Sequence, residues 1–180
     1  MIFRIVITGA PGSGKTEILN RLKKLPDFSD FVFFDELARR LLIENPDYRK
    51  NWSDFHVEIY RRQVARENNL GDRSFVTDRG TADAFAFHPE TMSRVATSLE
   101  KEYRRYTTVM QLGSAATLGE EFYQRDDIRD ESDPLALTIE RAITEVWRRH
   151  PHYHFVKAEP DFERKFRSCV DILTRLMSHP

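Results

Sequence analysis

The stretch "GAPGSGKT", Gly9 to Thr16, constrains this chain more than any other. It satisfies G-x-x-x-x-G-K-[ST], the Walker A or P-loop pattern, whose backbone N–H groups cradle nucleotide phosphates. That chemistry needs a strand before the loop and a helix after it. The preceding "MIFRIVIT" has the β-branched and aromatic density of a buried strand. In the following "KTEILNRLKKL", Ile18, Leu19, Leu22 and Leu25 share one helical face before Pro26 stops it. The required context is therefore present.

Within the loop, Gly9, Gly12 and Gly14 remove side chains that would obstruct converging N–H groups, and they permit positive φ. Ser13 completes the run. The helix start adds about half a positive charge. Lys15 is placed to reach the β- and γ-phosphates, and the Thr16 hydroxyl to ligate Mg²⁺. The expected ligands are ATP, with GTP open, and Mg²⁺.

The rest of the chain alternates. "FVFFDE", "RSFVTDRG", "TTVMQLG" and "YHFVKA" read as four further strands. Helical patterns lie between them, in "ELARRLLIEN", "SDFHVEIYRRQVARENNL" (with Ser53 or Asp54 as cap), "TADAFAF", "PETMSRVATSLEKEYRRY" and "LALTIERAITEVWRRH". "PDFERKFRSCVDILTRLM" closes the chain as a helix. Five strands alternating with helices predict an α/β fold, with a parallel sheet covered on both faces. No repeat, low-complexity tract or linker interrupts it, so one domain over residues 1–180 is expected.

A nucleotide-bound Mg²⁺ needs a carboxylate nearby, directly or through water. Two strand ends offer one. Asp35 and Glu36 end the second strand, at the carboxyl edge of the sheet where ligands bind in open α/β folds, and could face a substrate beside the γ-phosphate. Asp78 ends the third, with Arg79 next: the acid could serve the metal and the base a substrate anion. Plain helix capping by Asp78 or Glu36 is the alternative. Asp83 could contact substrate or cap its helix, and Gln63 could read a base or be an exposed glutamine.

Composition narrows the partners. The chain has 28 basic and 29 acidic residues, so no global field steers it onto nucleic acid. No apolar run approaches the ~20 residues of a membrane span, and no cleavable signal is expected. The one cysteine, Cys169, suits a reducing cytoplasm and reads as a small apolar filler. "HPHYH" lacks a carboxylate or cysteine at ligand spacing and reads as a helix end entering a strand.

The segments "IVITGAPGSGKT", "FFDELARRLL", "DFHVEIYRRQ", "TDRGTADAFAF" and "EEFYQRDDIRDES" together resemble the NadR/AAA_28-type P-loop family. "ERAITEVWRRHPHYHFV" is similar to the nucleotide-binding domain of TRP-channel translocation-defect proteins. The resemblance implies a three-layer P-loop NTPase fold, related to nucleoside and nucleotide kinases, and leaves the substrate open. It also supports a lid over residues 114–132. There Arg125 and Arg129, four apart, would share a helical face and close on the γ-phosphate; a solvated, locally paired face is the alternative.

Three readings follow: a small-molecule kinase, a nucleotide-dependent binding module, and a mechanical ATPase. The kinase would use Lys15, Glu36, Asp78, Arg125 and Arg129 for catalysis, and Asp35, Glu36, Gln63, Arg79 and Asp83 for its acceptor, a small-molecule hydroxyl or phosphate. The Asn-Lys-x-Asp motif of switch GTPases is absent from the sequence. A mechanical ATPase needs sensor residues and a second domain, for which this length leaves no space.

Overall fold

Strand β1 (Arg4–Gly9) turns Ile5 and Ile7 to one face of the sheet and Val6 to the other, and so seeds two cores. The computed structural model describes residues 1–119 and 133–178. Its five strands, β1, β2 (Val32–Phe34), β3 (Phe75–Asp78), β4 (Thr108–Leu112) and β5 (Tyr153–Val156), are all parallel, in the order β2-β3-β1-β4-β5. The fold is a three-layer α/β P-loop fold.

On one face, Ile5, Ile7, Val76, Met110 and Leu112 pack against α1 (Lys15–Leu22) and α8 (Phe162–Ser178). On the other, Val6, Phe75 and Val109 pack against α3 (Trp52–Asn68), α4 (Asp83–Phe87) and α7 (Asp133–Trp147), with the indole of Trp147 fully buried. The remaining helices, α2 (Leu37–Glu44), α5 (Thr91–Arg94) and α6 (Leu99–Tyr103), are short. None of the described helices is long and apolar enough to cross a membrane.

Two helix expectations need correction. α3 starts two or three residues earlier than its Ser53 or Asp54 cap implies. Asn51 caps it, accepting from the Asp54 N–H at 3.1 Å and donating to the Asp54 carboxylate at 2.7 Å. The helical stretch expected from Pro89 to Tyr106 is broken. Ala96 adopts φ 51 and the Thr97 N–H reaches back to the Met92 carbonyl at 3.2 Å, a Schellman-type stop, before Ser98 caps α6.

The histidine-rich turn is structural at its first member. His150 accepts from the His152 N–H through Nδ1 at 3.1 Å and directs Nε2 at the carbonyls of Tyr103 and Tyr106. Burial lowers its pKa, which suits this neutral, Nε2-protonated form. Cys169 is fully buried and its thiol is pushed up to about 12 by that burial.

Candidate functional site

The sheet order brings Asp78 to the phosphate loop. β3 is bonded directly to β1, with Ile7 opposite Asp78, so the acid emerges beside the phosphate loop. Gly12 and Gly14 both have φ 74, in the left-handed region that glycine adopts without strain. A Cβ on Gly9 would lie 2.7 Å from the Leu112 carbonyl oxygen and from Ser13 Oγ, so the loop closes only with glycine there.

Lys15 Nζ lies 2.9 Å from Asp78 Oδ1, with both side chains buried. The contact falls outside strict hydrogen-bond geometry, and the attraction between the two charges is its larger part. Burial pushes the Asp78 carboxyl above its ordinary value, and the charges of Lys15 and Arg79 oppose the rise without cancelling it. Burial would also raise Glu36, but the charges of Lys15 and Arg79 outweigh it and hold that carboxyl below its usual range. Glu36 is thus ionised at neutral pH.

Arg79 is the hinge of the site. It takes φ 68, unusual for a branchless but bulky side chain. Its guanidinium lies 3.4 Å from both Glu36 and Asp83 and 4.8 Å from the Phe87 ring centroid. Thr77 Oγ1 donates to its carbonyl at 2.9 Å, and its N–H donates to Ile7 at 3.0 Å.

Two cavities meet here. One, of about 580 Å³, is bounded by the phosphate loop from Ala10 to Thr16 and by Arg39, Ile43 and Arg49. Thr16 contributes its exposed side chain to that wall. The other, of about 570 Å³, is walled by Trp52, Phe55, Ile59, Phe87, Leu135 and Ile139. Glu36 and Arg79 line both, so they stand on the partition between them.

A strand–loop–helix phosphate cradle with an acid on the neighbouring strand is the framework of a P-loop nucleotide-binding domain. A family profile described as AAA domain, AAA_28, matches residues 4–165. The chain belongs to the AAA_28 family. The AAA_28 match runs from β1 into α8 and so covers the phosphate loop, both strand-end acids and both cavities. No curated protein matches the sequence.

The other predicted residues of this AAA_28 domain fall into different places. Asp35 turns away from both cavities; its carboxylate is 79% exposed and pairs with Lys23 at 2.9 Å. Gln63 borders the apolar cavity but is not an exposed glutamine, being 3% accessible. Its amide is engaged inside the protein, donating to Glu67 at 2.5 Å and Thr77 at 2.9 Å and accepting from Arg66, so reading a base would require breaking those bonds. Asp83 accepts from the Gly80 N–H at 2.9 Å, from Trp147 Nε1 at 3.0 Å and from Thr8 Oγ1. Of the candidate lid, Ser114 to Thr117 form a turn tied to the phosphate loop, while Arg125 and Arg129 lie outside the described residues.

Sequence reasoning missed Arg39 and Arg49, which supply cationic walls to the phosphate cavity, and His56, which lines the apolar one. Burial, followed by the charges of His88 and Arg79, pushes His56 down to about 4. Its neutral ring stacks on Phe87 at 6.0 Å and 6°. The available signal was position: Arg39 lies one turn after Glu36, and His56 follows Phe55 on the helix behind it.

Proposed function

We propose that this domain is a small-molecule kinase that moves the γ-phosphoryl group of a nucleoside triphosphate onto a hydroxyl. The adjoining cavities, with Glu36 and Arg79 on their shared wall, carry this reading. One volume suits the nucleotide, the other an acceptor, and a group transferred between them must pass the partition. The residues that would hold Mg²⁺ are Thr16 and Asp78, whose oxygen atoms are the hard donors this ion prefers. Bound there with the nucleotide, the ion would neutralise charge on the β- and γ-phosphates.

In this reading the acceptor oxygen bonds to the γ-phosphorus as the bond to the β–γ bridging oxygen breaks. The hydroxyl proton passes to Glu36, and the leaving diphosphate is stabilised by Lys15 and the loop N–H groups. Phosphoryl transfer is mainly positioning and charge stabilisation, so the low basicity of Glu36 is no obstacle: it orients the hydroxyl and takes its proton only as the new P–O bond forms.

The apolar cavity also favours one kind of acceptor. Its polar end carries Glu36, Asp78 and Asp83 against Arg79, an acidic excess that disfavours a phosphate monoester. The aromatic walls favour a compound with an apolar or planar body. In a screen with MgATP and MgGTP, neutral or cationic hydroxyl compounds with ring bodies should be phosphorylated, and their phosphate esters should not. Phosphorylation confined to phosphate esters would overturn the acceptor assignment. A failure to phosphorylate any acceptor, with nucleotide still bound, would favour a nucleotide-dependent binding module.

Glu36→Gln should lower turnover about 100-fold, within the range of general-base losses, while nucleotide affinity changes less than about threefold. Unchanged turnover would remove Glu36 from the proton path.

A further inference from the structure

Three consecutive carbonyls of the phosphate loop are held from behind. The Pro11 carbonyl accepts from Ser114 Oγ at 2.6 Å, and the Gly12 carbonyl from the Ala115 N–H at 3.0 Å. The Ser13 carbonyl accepts from Lys165 Nζ at 2.8 Å, and the same ammonium donates to the Gly113 carbonyl at 2.7 Å. Lys165 comes from α8, is 4% exposed, and reaches 152 residues back in the sequence to make this bond. A trans peptide sets its N–H opposite its carbonyl. Pulling the Ser13 carbonyl backward therefore turns the Gly14 N–H toward the face where phosphates bind, and the Pro11 tether does the same for Gly12. The Ser13 N–H is engaged within the turn, on the Ala10 carbonyl at 3.2 Å.

We propose that Lys165 is a positioning residue for nucleotide binding, whose ammonium fixes the Ser13–Gly14 peptide in its phosphate-binding orientation and links the docking of α8 to the loop. The inference rests on the loop binding a nucleotide and does not depend on transfer to an acceptor.

The groups facing this ammonium are few. On its own helix Cys169 lies one turn away as an uncharged thiol, while Glu140 of α7 and Glu159 after β5 bring negative charge near it. Glu140 in turn accepts from the Ser114 N–H at 2.5 Å. Burial outweighs these fields and lowers Lys165 to about 8. A charge-assisted hydrogen bond is about twice as strong as a neutral one, so the tether weakens as pH rises through that value.

The pH sign separates positioning from mere folding. A buried lysine with a depressed pKa leaves the unfolded chain holding more protons from about pH 8 to its ordinary 10.5, so its contribution to stability rises with pH there. Nucleotide affinity should move the opposite way.

The test is calorimetric titration of MgATP and MgGTP into the full chain between pH 7 and 9.5, with thermal melts of the free protein alongside. Wild-type affinity should fall about tenfold across this range. Lys165→Met should be about tenfold weaker at pH 7, with a flat profile. Lys165→Arg, charged throughout, should lack the alkaline fall. Should either variant fail to fold, Ser114→Ala, which frees the Pro11 carbonyl and the Ala116 N–H but leaves the Lys165 tether in place, should still weaken binding about threefold. A wild-type affinity that stays level to pH 9.5, or Lys165→Met binding as tightly as wild type, would overturn the positioning role alone. Absence of binding by the wild type at pH 7 would overturn the nucleotide reading and this inference with it.

Discussion

Lys15→Ala is expected to weaken MgATP binding by at least about 100-fold and to abolish any phosphoryl transfer. The removed ammonium is buried and lines the phosphate cavity, and truncating one member of a buried charge pair costs about 2–5 kcal/mol. The free protein should register the same change. Asp78, already pushed above its ordinary value by burial, loses the larger of the two charge effects that oppose the rise and keeps only that of Arg79. A carboxyl raised in the folded state binds a proton that the unfolded chain releases, so stability falls as pH climbs from 3.8 through the raised value. The melting deficit of Lys15→Ala should therefore be larger at pH 8 than at pH 5. An equal deficit at both would show that Asp78 does not depend on Lys15.

Asp83→Ala should have the largest effect on folding. This carboxylate is 2% exposed and accepts from the Gly80 N–H, the Trp147 indole and the Thr8 hydroxyl, with the Arg79 guanidinium at 3.4 Å. Its removal strands donors in the core and leaves Arg79 with Glu36 as its nearest counter-charge. Losses of about 1–3 kcal/mol per stranded donor, partly relaxed, give roughly 3–5 kcal/mol. For a chain of this size that lowers the melting midpoint on the order of 10 °C. Asp83→Asn keeps an accepting oxygen and should recover part of the loss. If Ala and Asn destabilise equally, the charge facing Arg79 is the stabiliser and the neutral hydrogen bonds are secondary.

The phosphate loop and both strand-end acids were readable because their geometry is local. A glycine-rich turn between strand and helix needs no distant partner to be recognised, and an acid at a strand's carboxyl end lies at the ligand edge in any parallel sheet. Which acid stands beside Lys15 was not local. It depends on β3, not β2, lying next to β1, and hydrogen bonding between strands distant in sequence sets that order.

Gln63 was misread, and Glu67 and Lys165 were passed over, for one cause. Gln63 and Glu67 fall four and eight residues after Ile59 along α3, and Lys165 falls four before Cys169 and eight before Leu173 along α8. Each occupies a buried-stripe position where an apolar residue is expected, and buried polar groups need internal partners. That periodic mismatch was visible in the sequence; the identity of the partners was not. Asp35 erred the opposite way. Adjacent to Glu36 in sequence, it leaves the site and pairs with Lys23 at the surface.

The bond from Lys165 to Ser13 also bears on how the molecule reaches its working form. The Lys165 tether is made 152 residues after the loop residue it holds, a contact of high sequence separation and late entropic closure. A nascent chain that has not yet reached α8 would carry the whole glycine-rich motif without the tether behind it. Competence to capture nucleotide would then follow the docking of α8 rather than the completion of the loop itself.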